Sequence, residues 1–147
     1  MRLSVFVVDT NVVVAGLITE LNGSPVALIL DEMLSGSLCY LLSPSLLAEY
    51  RSVLLRPKLS KLHGLSEADL DLLLVELTAN AMWRDPKPAS PAPDRGDDHL
   101  WALLDAYAGS LLITGDRLLL ANPPLGSSVI SPGTCVEDFL DIWGALQ

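Results

Sequence analysis

Asp9 stands directly behind Leu3 to Val8, a run dominated by β-branched and aromatic residues, and Asp116 follows Leu111 to Thr114 across Gly115, which permits a tight exit. Both runs read as strands, and ligands in open parallel sheets sit beyond the carboxyl ends of the strands. Either aspartate alone could equally be a helix N-cap. Glu49 lies at the edge of the apolar face made by Leu46, Tyr50, Val53 and Leu54, where an unpaired carboxylate is costly. Asp97 and Asp98 open a further helix after Gly96, so one can cap it while the other faces a cleft. Carboxylates gathered on one sheet edge repel one another, and divalent cations are the usual remedy. Oxygen donors without histidine or cysteine select Mg²⁺ or Mn²⁺. Such a site suits phosphoryl chemistry, in which the ion activates water and stabilises charge on the attacking and leaving oxygens.

The elements that must position these acids follow from periodicity. Apolar runs at Leu3–Val8, Leu38–Leu42, Leu111–Thr114 and Ser128–Ile130 are separated by segments long enough for crossover helices. That alternation predicts an α/β fold with a mainly parallel sheet. Ser43-Pro44 opens a helix to about Leu55, with a capping hydroxyl before a first-turn proline. Ser24 or Pro25 to Ser35 forms another, ended by Gly36. Ser66 to Asp69 is a capping-box pattern ahead of Leu70, Leu73, Leu74 and Leu77 at helical spacing. Asp97 to Ala108 and Thr134 to Leu146 complete the predicted helices, and Leu118 to Val136 reads as turns around one short strand. The proline-rich stretch Asp85 to Gly96 is too short to separate domains, so residues 1–147 read as a single domain.

Composition removes several function classes. The chain has 147 residues, 18 acidic against 9 basic, a net charge of −9 and a pI near 4.4. A broad basic footprint for duplex binding is excluded, because that mode neutralises many phosphates with Lys and Arg. Disorder is excluded by a mean hydropathy of +0.43. Prolines and glycines interrupt Leu118–Val136, and Asp9-Thr10-Asn11 interrupts an N-terminus whose Ala15-Gly16 pair superficially resembles an export signal, so neither a membrane span nor a signal peptide is expected. Cys39 and Cys135 match no metal spacing and fit a reducing cytoplasm. His63 and His99 are not at zinc spacing, and His99 reads as a surface or supporting residue. No glycine-rich phosphate loop or GxSxG elbow occurs.

Val8-Asp9-Thr10-Asn11-Val12, Ser45-Leu46-Leu47-Ala48-Glu49-Tyr50 with Arg56-Pro57-Lys58-Leu59, Asp97-Asp98 with Leu100, and Leu112-Ile113-Thr114-Gly115-Asp116 together resemble the PIN domain. The closest likeness is to the bacterial VapC-like ribonucleases of toxin–antitoxin pairs, and it runs from about residue 3 to residue 140. The resemblance implies a three-layer α/β/α fold around a sheet of four or five strands. It also implies a Mg²⁺- or Mn²⁺-dependent endoribonuclease cutting single-stranded or loop RNA to leave a 5′-phosphate. Its four acids carry over to Asp9, Glu49, Asp98 and Asp116, with Asp98 preferred to Asp97 because it stands sixteen residues before Thr114. Thr10, Asn11 and Thr114 carry over as polar supports. Two departures are visible: no acid closely follows Asp116, and Pro88 to Pro93 stretches the segment before the third acid.

Arg51, Arg56, Lys58 and Lys61 cluster in an acid-free span between Tyr50 and Ser66, with His63 among them. They either solvate a helix end or, with Arg117, contact RNA backbone phosphates. Leucine pairs beyond what one face of each helix buries point to a homodimer or to an antitoxin groove. The competing reading is a catalytically inactive PIN-like module that binds RNA or protein. A receiver or phosphatase domain is disfavoured, since no lysine follows Lys87.

Overall fold

A computed structural model describes residues 4–87 and 90–140. Five short parallel strands form one sheet: β1 (Phe6–Val8), β2 (Tyr40–Leu42), β3 (Met82–Trp83), β4 (Leu111–Ile113) and β5 (Ser128–Ile130), in the spatial order β3-β2-β1-β4-β5. Helices cover both faces: α1 (Thr10–Ile18), α2 (Pro25–Ser35), α3 (Pro44–Leu54), α4 (Pro57–His63), α5 (Glu67–Asn80), α6 (Asp98–Ala106), α7 (Arg117–Ala121) and α8 (Pro132–Cys135). The architecture is three-layer α/β/α, as expected. β1, β2 and β4 are buried on both sides, which is why their sequences lack the polar alternation of a half-exposed strand.

The register brings the acids together. Val8 pairs with Ile113, and the next amide, Asp9 N–H, donates to Ile113 O at 2.9 Å, so β1 and β4 end in the same row. Tyr50 of α3 is fully buried beneath that row and donates its hydroxyl proton to Val8 O. The α3 helix is thereby tied to the strand that presents Asp9. At its start, Ser43 Oγ accepts from Leu46 N–H at 3.1 Å and Pro44 occupies the first turn. Ser43→Ala is expected to cost about 1 kcal/mol, read as a fall in melting temperature of about 3 °C.

Five elements differ from expectation. β3 was not anticipated, because two residues carry no periodic signal. Helix α1 lacks a polar face to announce it, since Val12 to Val14 are all buried. Pro57–His63 forms α4 and Arg117–Ala121 forms α7, both too short to show a repeat. The C-terminal helix begins earlier, at Pro132, and passes into a wider π-type turn at Val136–Leu140; its predicted remainder, 141–146, lies outside the described residues. No described helix is long and apolar enough to cross a membrane.

Candidate active site

Asp9 is 5% exposed and its carboxylate is almost fully engaged. Oδ1 accepts from Thr10 N–H at 2.7 Å, while Oδ2 accepts from the Thr114 hydroxyl at 2.7 Å and from Asn11 Nδ2 at 3.1 Å. Asn11 also donates to Thr114 Oγ1 at 3.2 Å and accepts Gly115 N–H at 2.9 Å. Thr114 Oγ1 accepts Asp116 N–H at 3.0 Å. Asn11 and Thr114 thus stitch the end of β1 to the segment after β4, while Thr10 N–H fixes the neighbouring Asp9 carboxylate. Burial raises the Asp9 carboxyl above the usual carboxylate range despite these bonds.

Glu49, Asp97 and Asp116 join Asp9 on the walls of one cleft of about 390 Å³, with Arg56 beside them. Glu49 Oε2 lies 3.0 Å from His99 Nε2, and that contact holds its carboxyl below the usual range against the opposing effect of burial. His99, expected only as a surface or supporting residue, is the group that steadies Glu49; it is the second residue of α6 and no local spacing announces it. Asp116 Oδ1 accepts Leu118 N–H at 2.9 Å and so caps α7, which makes cap and site roles compatible in one residue.

Asp98 and Asp97, the preferred and the alternative third acid, are placed differently. Asp98 Oδ1 accepts Ala92 N–H at 2.8 Å, tying the proline-rich segment to the start of α6. Asp97 ends the 3₁₀ turn Arg95–Asp97, makes no side-chain cap bond, and lines the cleft. Burial, then the charges of Asp9, Asp94, Glu49 and Asp116, raise its carboxyl to about 6. A raised carboxyl pKa means the folded protein binds protons more tightly, so stability falls as pH rises from about 4 to about 6 and stays lower above that. With the site partly open to solvent, Asp97→Asn is expected to stabilise the metal-free protein by about 1 kcal/mol at pH 8 and by about half as much at pH 5. Melting curves in chelator at both pH values check this; an equal shift at both would refute it.

Of the basic candidates, only Arg56 reaches the cleft wall. Arg51, expected as a phosphate contact, has its guanidinium held by Asp71 at 2.9 Å and Glu67 at 2.7 Å, both on α5. Lys58 and Lys61 are exposed on α4, and Arg117 is exposed at the start of α7. His63 bridges the end of α3 to the next loop, with Nε2 2.8 Å from Leu54 O and Nδ1 accepting Leu65 N–H.

The donor chemistry fits a hard divalent cation. Four carboxylates face one cleft, and Glu49 Oε2 and Thr10 Oγ1 are buried without a partner in good hydrogen-bond geometry. Among the described residues no three acidic, histidine or cysteine side chains converge tightly enough to enclose an ion by themselves.

No curated protein and no solved structure gives a match to the chain. The sequence profile described as PIN domain matches residues 5–118, a span that holds all four acids of the cleft, their polar supports and Arg56. The chain belongs to the PIN domain family.

Proposed function

We propose that the protein is a Mg²⁺- or Mn²⁺-dependent endoribonuclease acting on single-stranded or loop RNA, and the toxin of a type II toxin–antitoxin pair. PIN domains are typically nucleases that bind nucleic acid and use divalent ions. The observation that carries the finer reading is the cleft itself, in which acids from β1, α3, the turn before α6 and the end of β4 meet beside a single arginine.

Asp9, Asp97 and Asp116 would hold the ion, with Glu49 holding a second ion or orienting water. The bound cation would supply Lewis-acid stabilisation of developing charge on the phosphodiester oxygens. The chain's own work is positional. Thr10 N–H, Asn11 and Thr114 keep Asp9 from rotating, and His99 keeps Glu49 in the cleft. Arg56 balances phosphate charge at the rim, and Lys58, Lys61 and Arg117 lie where a strand leaving the cleft could be followed. Leu72 and Val75 stand exposed on α5, which supports a covered face on which a second copy or an antitoxin would sit. A reducing cytoplasm suits two free thiols, Cys39 and Cys135.

The test incubates purified protein with labelled structured and unstructured RNAs, in millimolar Mg²⁺ or Mn²⁺ and in chelator. Internal cleavage with metal, leaving 5′-phosphate ends, and none in chelator is the expected result. RNA binding without cleavage under any metal would instead favour the inactive binding module.

A further inference from the structure

A second hollow of about 370 Å³ adjoins the acid cleft, and Asn11, Ala15 and Asp116 wall both. Its remaining walls are Val12 of α1, Val26 near the start of α2, Gly115 and Pro132 of α8. The two hollows differ in chemistry. The acid cleft carries Arg56 on its wall, whereas the second lobe carries no cation, so a backbone phosphate is disfavoured there by Asp116 alone. Its walls are mainly aliphatic. Two polar groups stand between the lobes: Asn11, with both amide ends spent on Asp9, Thr114 and Gly115, and Asp116, whose carboxylate caps α7 and is assigned to the ion. A flat, neutral, largely apolar group is what such walls accept, and the volume lies at the small end of the roughly 300–1,000 Å³ range of small-ligand clefts.

Resting on the nuclease reading above, we propose that this lobe receives the base of one nucleotide flanking the scissile phosphate, while the phosphate itself lies over the acids on the Arg56 side. The base is held by packing against Val26, Ala15 and Pro132 rather than by its hydrogen-bonding edge, because the amide of Asn11 is already committed. Base identity therefore matters little and the presence of a base matters greatly. An unpaired nucleotide is favoured there, since a paired base must first give up its pairing and stacking to enter a side lobe.

The experiment uses wild-type protein and a short labelled RNA that it cuts at one position, with abasic nucleotides substituted one at a time across the cut. One flanking position is expected to lose about tenfold in kcat/KM, within the range of a single base–protein stacking contact, and all others much less. Val26→Phe, which fills the lobe, is expected to lower kcat/KM on the intact RNA by a similar factor and to abolish the penalty of that one abasic position. Melting curves with and without Mg²⁺ confirm that the variant is folded and still responds to metal. Cleavage that tolerates every abasic substitution overturns the lobe assignment and leaves the nuclease reading standing. So does an abasic penalty that persists undiminished in Val26→Phe, because it places the base elsewhere. No cleavage of any RNA by the wild type overturns the nuclease reading and the lobe assignment with it.

Discussion

Asp9→Asn is expected to lower metal-dependent RNA cleavage by on the order of 10³-fold, as removal of several kcal/mol of charge stabilisation at the reacting centre would do. The carboxylate is the most deeply buried acid of the cleft and lies at its centre, contacting groups from both β1 and β4. The amide replacement keeps the shape and the bond from Thr10 N–H, but it turns one acceptor oxygen into a donor facing Asn11 Nδ2. Against that loss stands the removal of a buried charge whose carboxyl is already raised by desolvation. The two effects oppose, so the melting temperature in chelator should move by no more than about 3 °C, roughly 1 kcal/mol. Added Mg²⁺, which should raise the melting temperature of the wild type through linked binding, should raise that of the variant far less. Retained cleavage in a folded Asp9→Asn protein would remove Asp9 from the site.

Gly16→Val is the substitution expected to damage the fold most. A Cβ at Gly16 would stand 2.6 Å from Val26 O and 3.0 Å from Leu30 Cβ, and the nearer atom is helix backbone that cannot rotate away. Helices α1 and α2 must part, and overpacking of this kind costs about 1–3 kcal/mol, which for a β-branched residue in a helix is not recovered by the roughly 0.5 kcal/mol propensity advantage over glycine. The expected fall in melting temperature is about 3–9 °C. Because α1 begins at the Asp9 cap and carries Asn11, the same displacement should reduce cleavage at temperatures where the variant is still folded. Gly16→Ala tests the steric cause: it should fall short of the valine variant yet still destabilise, although alanine is the better helix former. A stabilised alanine variant would show that the two helices separate without cost.

Local chemistry in the sequence determined a good part of this molecule. Strand runs rich in β-branched residues separated by crossover-length segments specify a parallel α/β sheet whatever the details of packing. Residues that closely follow a buried strand must emerge at the sheet edge, so Asp9, next after β1, and Asp116, three residues past β4, were legible as neighbours. Ser24, Ser43 and Ser66 each accept a backbone N–H three residues on, as their positions before helical patterns foretold. Tertiary structure alone decided the choices between adjacent or similar residues. Asp97 and Asp98 differ by one position, and successive residues at a helix start are rotated by about 100°. Which one faces the cleft depends on the path of the proline-rich segment that Asp98 anchors. Arg51 and Arg56 flank the same helix end, yet only the placement of α5 shows that Asp71 and Glu67 hold the first and leave the second at the rim. His99 meets Glu49 across fifty residues of chain, and Gly16 meets the α2 backbone. Such contacts arise from the docking of whole elements, and spacing along one element carries no information about the partner it will meet.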